Sequence, residues 1–180
     1  MRDRRILQTV FVDLDSTLAD TRQRWHLIDR ENGTDWVEYA MACAGDVPIH
    51  GTVTLVRMLF PQNRIIILSG RADEAASLTR EWLSRFAVPY DVLILRGKED
   101  FYVPNGEWKR DRIREWQNEH PEHFISLLID DWPETKEVIE KELDIPVLMV
   151  NPLYNVDEYV PEAESVENRE AAWTGKRDLR

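Results

Sequence analysis

The sequence predicts an α/β fold, a doubly wound sheet of five parallel strands with a short helical insertion after the first strand. Three observations predict it. Five short runs are apolar almost throughout and rich in Ile, Val and Leu, the pattern of strands buried on both faces. Stretches of helical spacing separate them, which implies βαβ units. The chain has 180 residues, enough for one ordinary domain and little more.

The strand runs cover residues 7–12, 64–68, 91–95, 125–129 and 146–150. Between the second and third, Leu78, Trp82 and Phe86 stand four apart and share a helix face. Ile113 and Trp116 do the same on a later helix. Pro133 followed by Glu134 marks a helix start, because proline loses nothing at the first position and an acid suits the dipole there. Val138, Ile139 and Leu143 carry that helix inward. One connection is longer than a crossover needs. A helix over 52–60 can serve as the crossover, which leaves 16–50 as a small cap over the carboxyl edge of the sheet. The core is then 1–15 with 51–150. Residues 97–107 read as an irregular loop and 151–180 as a C-terminal extension. Within it, 157–170 is rich in acids and poor in apolar groups, which suits a surface segment.

Composition narrows the function. The lone cysteine, Cys43, excludes an intramolecular disulfide framework and makes a reducing, cytoplasmic setting the expectation. It reads as a small buried hydrophobe. No apolar run reaches bilayer length, so no membrane partner is expected. The basic start is followed by an apolar run that Asp13 cuts short, so no secretion signal is expected either. A net charge of −11 counts against a stable grip on long nucleic acid, which needs a basic face. Local basic clusters exist nonetheless: Arg22 with Arg24, and Lys109 with Arg110, Arg112 and Arg114. No ATP-binding P-loop motif is present.

Four elements carry candidate chemistry. Asp13-Leu14-Asp15-Ser16-Thr17 closes the first strand, where open α/β sheets place ligands. Two acids there are costly to bury without a cation or hydrogen bonds, and a hard divalent ion suits them. They could also serve as a helix cap. Ser69-Gly70-Arg71 closes the second strand, where a hydroxyl and backbone N–H groups could take phosphate oxygens or simply make a strand-to-helix turn. Asp130-Asp131 closes the fourth strand and could complete a metal shell or cap the next helix. Lys109 could reach a phosphate, or lie on a solvated face with its basic neighbours. Three of the four close predicted strands on one edge, which chance placement does not explain.

This set resembles the haloacid dehalogenase-like superfamily over residues 7–151, through the Asp13–Thr17 stretch, Ser69, Lys109 and Asp130-Asp131. Within it, the stretch from Ile65 to Leu83 and the run Leu127–Asp131 look like the phosphatase half of phage-type polynucleotide kinase. Ser16 stands where that superfamily usually has Gly, and Val103 and Asn105 stand where the kinase-linked phosphatases carry Arg and Asp. The resemblance implies a Rossmann-like core and a Mg²⁺-dependent phosphomonoesterase. Asp13 would be the nucleophile that forms an aspartyl-phosphate. Asp15 would protonate the leaving alcohol and then activate water. Asp13, the backbone carbonyl of Asp15 and Asp130 would hold Mg²⁺, with Asp131 orienting the lysine or a water. Ser69 and Lys109 would fix the phosphate oxygens, and Thr17 would support the loop or bond Asp130.

Substrate choice would lie in 16–50. Trp25, Trp36 and Tyr39 could stack a base or pack the cap on the core. Arg22, Arg24 and Arg71, with Gly70 beside them, could grip a phosphate or be plain surface charge, and His26 reads as a surface or packed histidine. The expected substrates are nucleotides or 3′-phosphate ends of nucleic acid. The alternatives are a 5′(3′)-deoxyribonucleotidase, another small-molecule phosphatase, or a non-catalytic binding module.

Overall fold

The computed structural model describes residues 8–29 and 32–150. In chain order the elements are β1 (Gln8–Val12), β2 (Ala19–Asp20), α1 (Trp36–Met41), β3 (Val47–Pro48), α2 (His50–Leu59), β4 (Arg64–Ala72), α3 (Ala76–Arg85), β5 (Val92–Arg96), α4 (Asn105–Glu119), β6 (Phe124–Asp130), α5 (Pro133–Leu143) and β7 (Val147–Met149). The five long-range strands form one parallel sheet in the order β5-β4-β1-β6-β7. This is the predicted fold class. The chain builds outward from β1 on one side, then returns to build outward on the other. The order therefore reverses at β1, and the crevice at its carboxyl end is where such sheets take ligands.

Successive residues of a strand face opposite sides, so apolar continuity gives two cores. Val10, Val12, Ile65 and Ile67 pack with Val53, Val56, Trp82 and Leu83 on the α2 and α3 side. Phe11, Ile66, Leu68 and Leu128 pack with Trp108, Ile113, Trp116 and Ile139 on the α4 and α5 side. α5 begins with Pro133 in its first turn and ends at Asp144 in the left-handed conformation.

Three boundaries differ from the sequence expectation by two residues or more. β4 runs on to Ala72 and keeps pairing with β5 through a register shift between Ser69 and Ala72. Ser69-Gly70-Arg71 is thus the bulged end of a strand and not a strand-to-helix turn. α4 opens at Asn105, inside the stretch expected to be irregular, which also holds a 3₁₀ turn at Lys98–Asp100. The crossover helix α2 starts two residues early, at His50. The acid-rich stretch 157–170 and the rest of the extension lie outside the described residues. Among the described residues no helix is long and apolar enough to cross a membrane.

The insertion between β1 and α2 is tied at both ends. β2 and β3 pair antiparallel, joining Ala19 to Pro48 and Asp20 to Val47. Small residues then let it settle on the sheet: Ala40 and Cys43 pack on Ala72 and Ala75. The buried Trp82 of α3 donates from Nε1 to the Asp46 carbonyl at 2.8 Å. Trp82→Ala should therefore cost about 3–5 kcal/mol in urea unfolding. Trp82→Phe, which keeps a ring but not the N–H, should cost about 1–3 kcal/mol. A Trp82→Phe variant as stable as the parent would mean that the hydrogen bond contributes nothing.

Candidate active site

Asp13 is the first residue past β1, and its N–H donates to the Ile129 carbonyl at 2.9 Å. That bond pins it to the neighbouring strand, β6, whose last residue is Asp130. Asp131 follows at once. One carboxylate oxygen from each of Asp13, Asp130 and Asp131 lies within 4.8 Å of the others. α4 delivers a lysine into the same place, on the buried face that it shares with Ile113 and Trp116. Lys109, only 1% exposed, donates from Nζ to Asp13 Oδ1 at 2.9 Å and to Asp130 Oδ2 at 2.7 Å. Thr17 Oγ1 donates to Asp131 Oδ1 at 3.3 Å, so its partner is Asp131 and not Asp130. The Trp132 N–H donates to Asp130 Oδ1 at 2.9 Å. The N-cap residue of α5, Trp132, makes no side-chain capping bond; Asp130 bonds its N–H, while the Asp131 side chain pairs with Thr17.

The charges do not balance. Three carboxylates face one ammonium, leaving two negative charges unmatched in a buried place. Burial raises the Asp13 carboxyl, Lys109 opposes it, Asp130 adds to it, and the net is about 7. Burial and then the charges of Asp13 and Asp130 push Asp131 well above the usual carboxylate range. Burial works against the Lys109 cation, yet Asp13 and Asp130 outweigh it and hold the lysine protonated. A hard divalent cation would supply the missing two positive charges, and carboxylate oxygens are the donors it takes. Asp13, Asp130 and Asp131 therefore suit such an ion.

Asp15 stands apart from this set. Its carboxylate accepts from Arg24 Nη2 at 2.6 Å and from Arg71 through Nε at 3.2 Å and through Nη2. Behind the arginines lies Asp46, which accepts from Arg24 Nε at 3.1 Å and Nη2 at 2.9 Å, and from Arg71 Nη2 at 3.3 Å. Two guanidinium groups and two carboxylates make a neutral set, which can be buried without an outside ion. Burial alone would raise the Asp15 carboxyl, but Arg24 and then Arg71 outweigh it and hold it at about 2. Arg24 also donates from Nη1 to the Tyr39 carbonyl at 3.0 Å and lies 4.2 Å above the Tyr39 ring. Arg71 Nη1 donates to Thr79 Oγ1 at 3.1 Å. Asp46 is the residue that sequence reasoning missed.

Between the two charge sets the chain turns at Ser16, which has φ +61°. That left-handed conformation favours glycine. Its Oγ bonds Thr21 Oγ1 at 3.1 Å, and Thr21 Oγ1 also accepts from Trp25 Nε1 at 3.1 Å. Ser69 is buried at the same rim, one residue further along than Asp13 in the β1–β4 register, and its Oγ accepts from the Arg71 N–H at 3.3 Å. Arg22 is not brought in. It is 52% exposed and paired with Asp20. Arg110 and Arg114 bridge to Glu142, and Arg112 bridges to Glu115, so Lys109 alone of that run turns inward. Trp36 and Tyr39 meet edge to face with centroids 5.6 Å apart, which is packing. Trp25 is half-buried, His26 is exposed, and Cys43 is buried with its thiol pushed up by burial.

No family model matches the sequence, and neither does any curated protein. Solved structures do match. Two chains from structures of the Pnkp1/Rnl/Hen1 RNA repair complex align at 24% and 25% identity, each with a TM-score of 0.67. The alignments cover 84% and 83% of this chain but 44% and 47% of those chains, so this chain spans under half their length. A haloacid dehalogenase (HAD)-family enzyme from Bacteroides thetaiotaomicron aligns at 12% identity and a TM-score of 0.52, over 85% of this chain and 98% of that one. The chain has the fold of HAD-like enzymes and resembles them.

The charge imbalance has a measurable consequence. At 100 times its dissociation constant, a divalent cation should stabilise the protein by about 2.7 kcal/mol. Asp131→Asn removes one repelling carboxylate. The metal-free variant should melt no lower than the parent, and its cation-dependent rise should shrink or vanish. A variant that kept the full rise would remove Asp131 from the ion's ligands.

Proposed function

We propose that the chain hydrolyses phosphate monoesters through a covalent intermediate on Asp13, with residues 16–50 acting as a cap over the core. The observation that supports this most strongly is the meeting of Asp13, Asp130, Asp131 and Lys109 at the carboxyl end of the parallel sheet. Mg²⁺ is the proposed ion, held by Asp13, Asp130, Asp131 and the backbone carbonyl of Asp15. When bound it would offset the repulsion between a carboxylate and a phosphate.

The chain's own residues do the rest. An Asp13 carboxylate oxygen attacks phosphorus in line, the bond to the leaving oxygen breaks, and an aspartyl-phosphate forms. Lys109 lies 2.9 Å from Asp13 and balances charge on the phosphoryl oxygens, while the Ser69 hydroxyl donates to one of them. Asp15 gives the leaving alcohol its proton. It then takes one from the water that attacks the aspartyl-phosphate and regenerates Asp13. The clasp of Arg24 and Arg71 holds this carboxyl at about 2 and so opposes protonation. Both roles therefore require the side chain to turn off the arginines toward Asp13.

The proposed substrates are nucleotides or 3′-phosphate ends, in line with the likeness to chains of an RNA repair complex. A small-molecule phosphatase, including a 5′(3′)-deoxyribonucleotidase, is the second reading. The net charge of −11 favours it, because that charge repels long strands. The test is hydrolysis with Mg²⁺ of nucleoside 3′- and 5′-monophosphates, 3′-phosphorylated oligonucleotides and sugar phosphates. Asp13→Asn should lower turnover on the order of 10⁴-fold or more while the circular dichroism spectrum stays unchanged. Equal rates on sugar phosphates and nucleotides would remove the nucleotide assignment, and an active Asn variant would remove Asp13 as nucleophile.

A further inference from the structure

We propose that Asn105 is a substrate-binding residue, its side-chain N–H groups donating to an oxygen of the phosphoryl group; this rests on the reading of Asp13 as the site of phosphoryl transfer. Asn105 opens α4, four residues before Lys109, so both side chains lie on one helix face a turn apart. Lys109 reaches Asp13 and Asp130. Asn105 reaches the neighbouring stretch of the same rim. It sits against Gly70, where a Cβ would fall 2.7 Å from its Oδ1. Gly70 directly follows Ser69, the other candidate phosphate donor. The missing side chain at position 70 is what admits the carboxamide.

Asn105 Oδ1 is buried and accepts no hydrogen bond. Nearly all buried acceptors find a donor, and an orphan is a reason to look for a use. The residue as a whole is only half-buried. Its amide nitrogen makes no hydrogen bond among the described residues and is not closed off from solvent. The carboxamide thus has one end pressed on Gly70 and the other open. The glycine Cα can offer only weak C–H donors, which an oxygen can use and an N–H cannot. The oxygen therefore belongs inside, and the two N–H donors point outward. The start of α4 is held in place by Arg96, which lies under it and donates from Nη2 to the Asp100 carbonyl at 2.8 Å and to the Val103 carbonyl. A neutral, fixed donor beside a serine hydroxyl and a lysine is what a phosphoryl oxygen takes. An unmet acceptor is the expected by-product of aiming the donor outward.

The experiment compares the parent with Asn105→Ala, Asn105→Asp, Gly70→Ala and the double variant Gly70→Ala/Asn105→Ala. Affinity for inorganic phosphate is measured by calorimetry with Mg²⁺, alongside melting temperature and p-nitrophenyl phosphate turnover. Asn105→Ala should weaken phosphate about tenfold, the effect of one lost hydrogen bond, with no fall in melting temperature. Asn105→Asp should weaken it further, because it sets a negative charge against the anion. Gly70→Ala should displace the carboxamide, so that its effect shrinks once Asn105 is already Ala. Unchanged phosphate affinity in Asn105→Ala, or a loss that tracks a fall in melting temperature, would overturn the assignment. An inactive parent that still binds phosphate through Asn105 would sink the hydrolase reading and spare this one. A parent that binds no phosphate would sink both.

Discussion

Three carboxylates, two of them buried, crowd around one lysine, and the rest of the architecture answers to that imbalance. The acids come from the ends of two neighbouring strands, β1 and β6, and the lysine comes from the helix packed beside them. Taken alone such a set is poorly stable, because like charges in a low dielectric raise one another's proton affinity. The sheet holds it by force of packing. Phe11, Leu128, Ile113 and Trp116 lie in one apolar layer beneath it, so the groups cannot drift apart. The tension that the fold holds is one that a doubly charged ion would relieve.

The second charge set has the opposite character. Arg24, Arg71, Asp15 and Asp46 cancel, so they can be buried together and act as an anchor. They join three parts of the chain: the turn after β1, the insertion, and the end of β4. Trp82 adds a bond from α3 to the backbone of Asp46. The insertion is thus fixed by polar contacts close in sequence to the carboxylate cluster, through Asp15, two residues after Asp13. Any motion that freed Asp15 would also loosen the insertion, because both are held by one set of contacts.

Much of this was legible in the residues, for physical reasons. Strands buried on both faces must be apolar throughout, and runs such as Ile65–Leu68 and Leu127–Ile129 carry that mark. Acids placed directly after such runs have few uses, so Asp13 and Asp130 stood out. Other features left no mark. β2 and β3 have two residues each, too short for any period to show. The continuation of β4 to Ala72 rests on a bulge, which a polar Ser-Gly-Arg stretch conceals. Asp46 belongs to no motif. Its burial depends on arginines 22 and 25 positions away, and such pairings appear only when the chain is folded. Asn105 was visible only as a departure from the phosphatases that the sequence resembles, with no hint that it would lie on Gly70.

The central claim is that phosphorus becomes bonded to one particular carboxylate. Rapid acid quenching of the Mg²⁺-loaded protein during turnover of a ³²P-labelled phosphate ester, followed by peptide mapping, tests it most directly. The account predicts acid-stable, hydroxylamine-sensitive label on the peptide that contains Asp13. Label on a different residue, or steady turnover with no labelled peptide at any quench time, would contradict it.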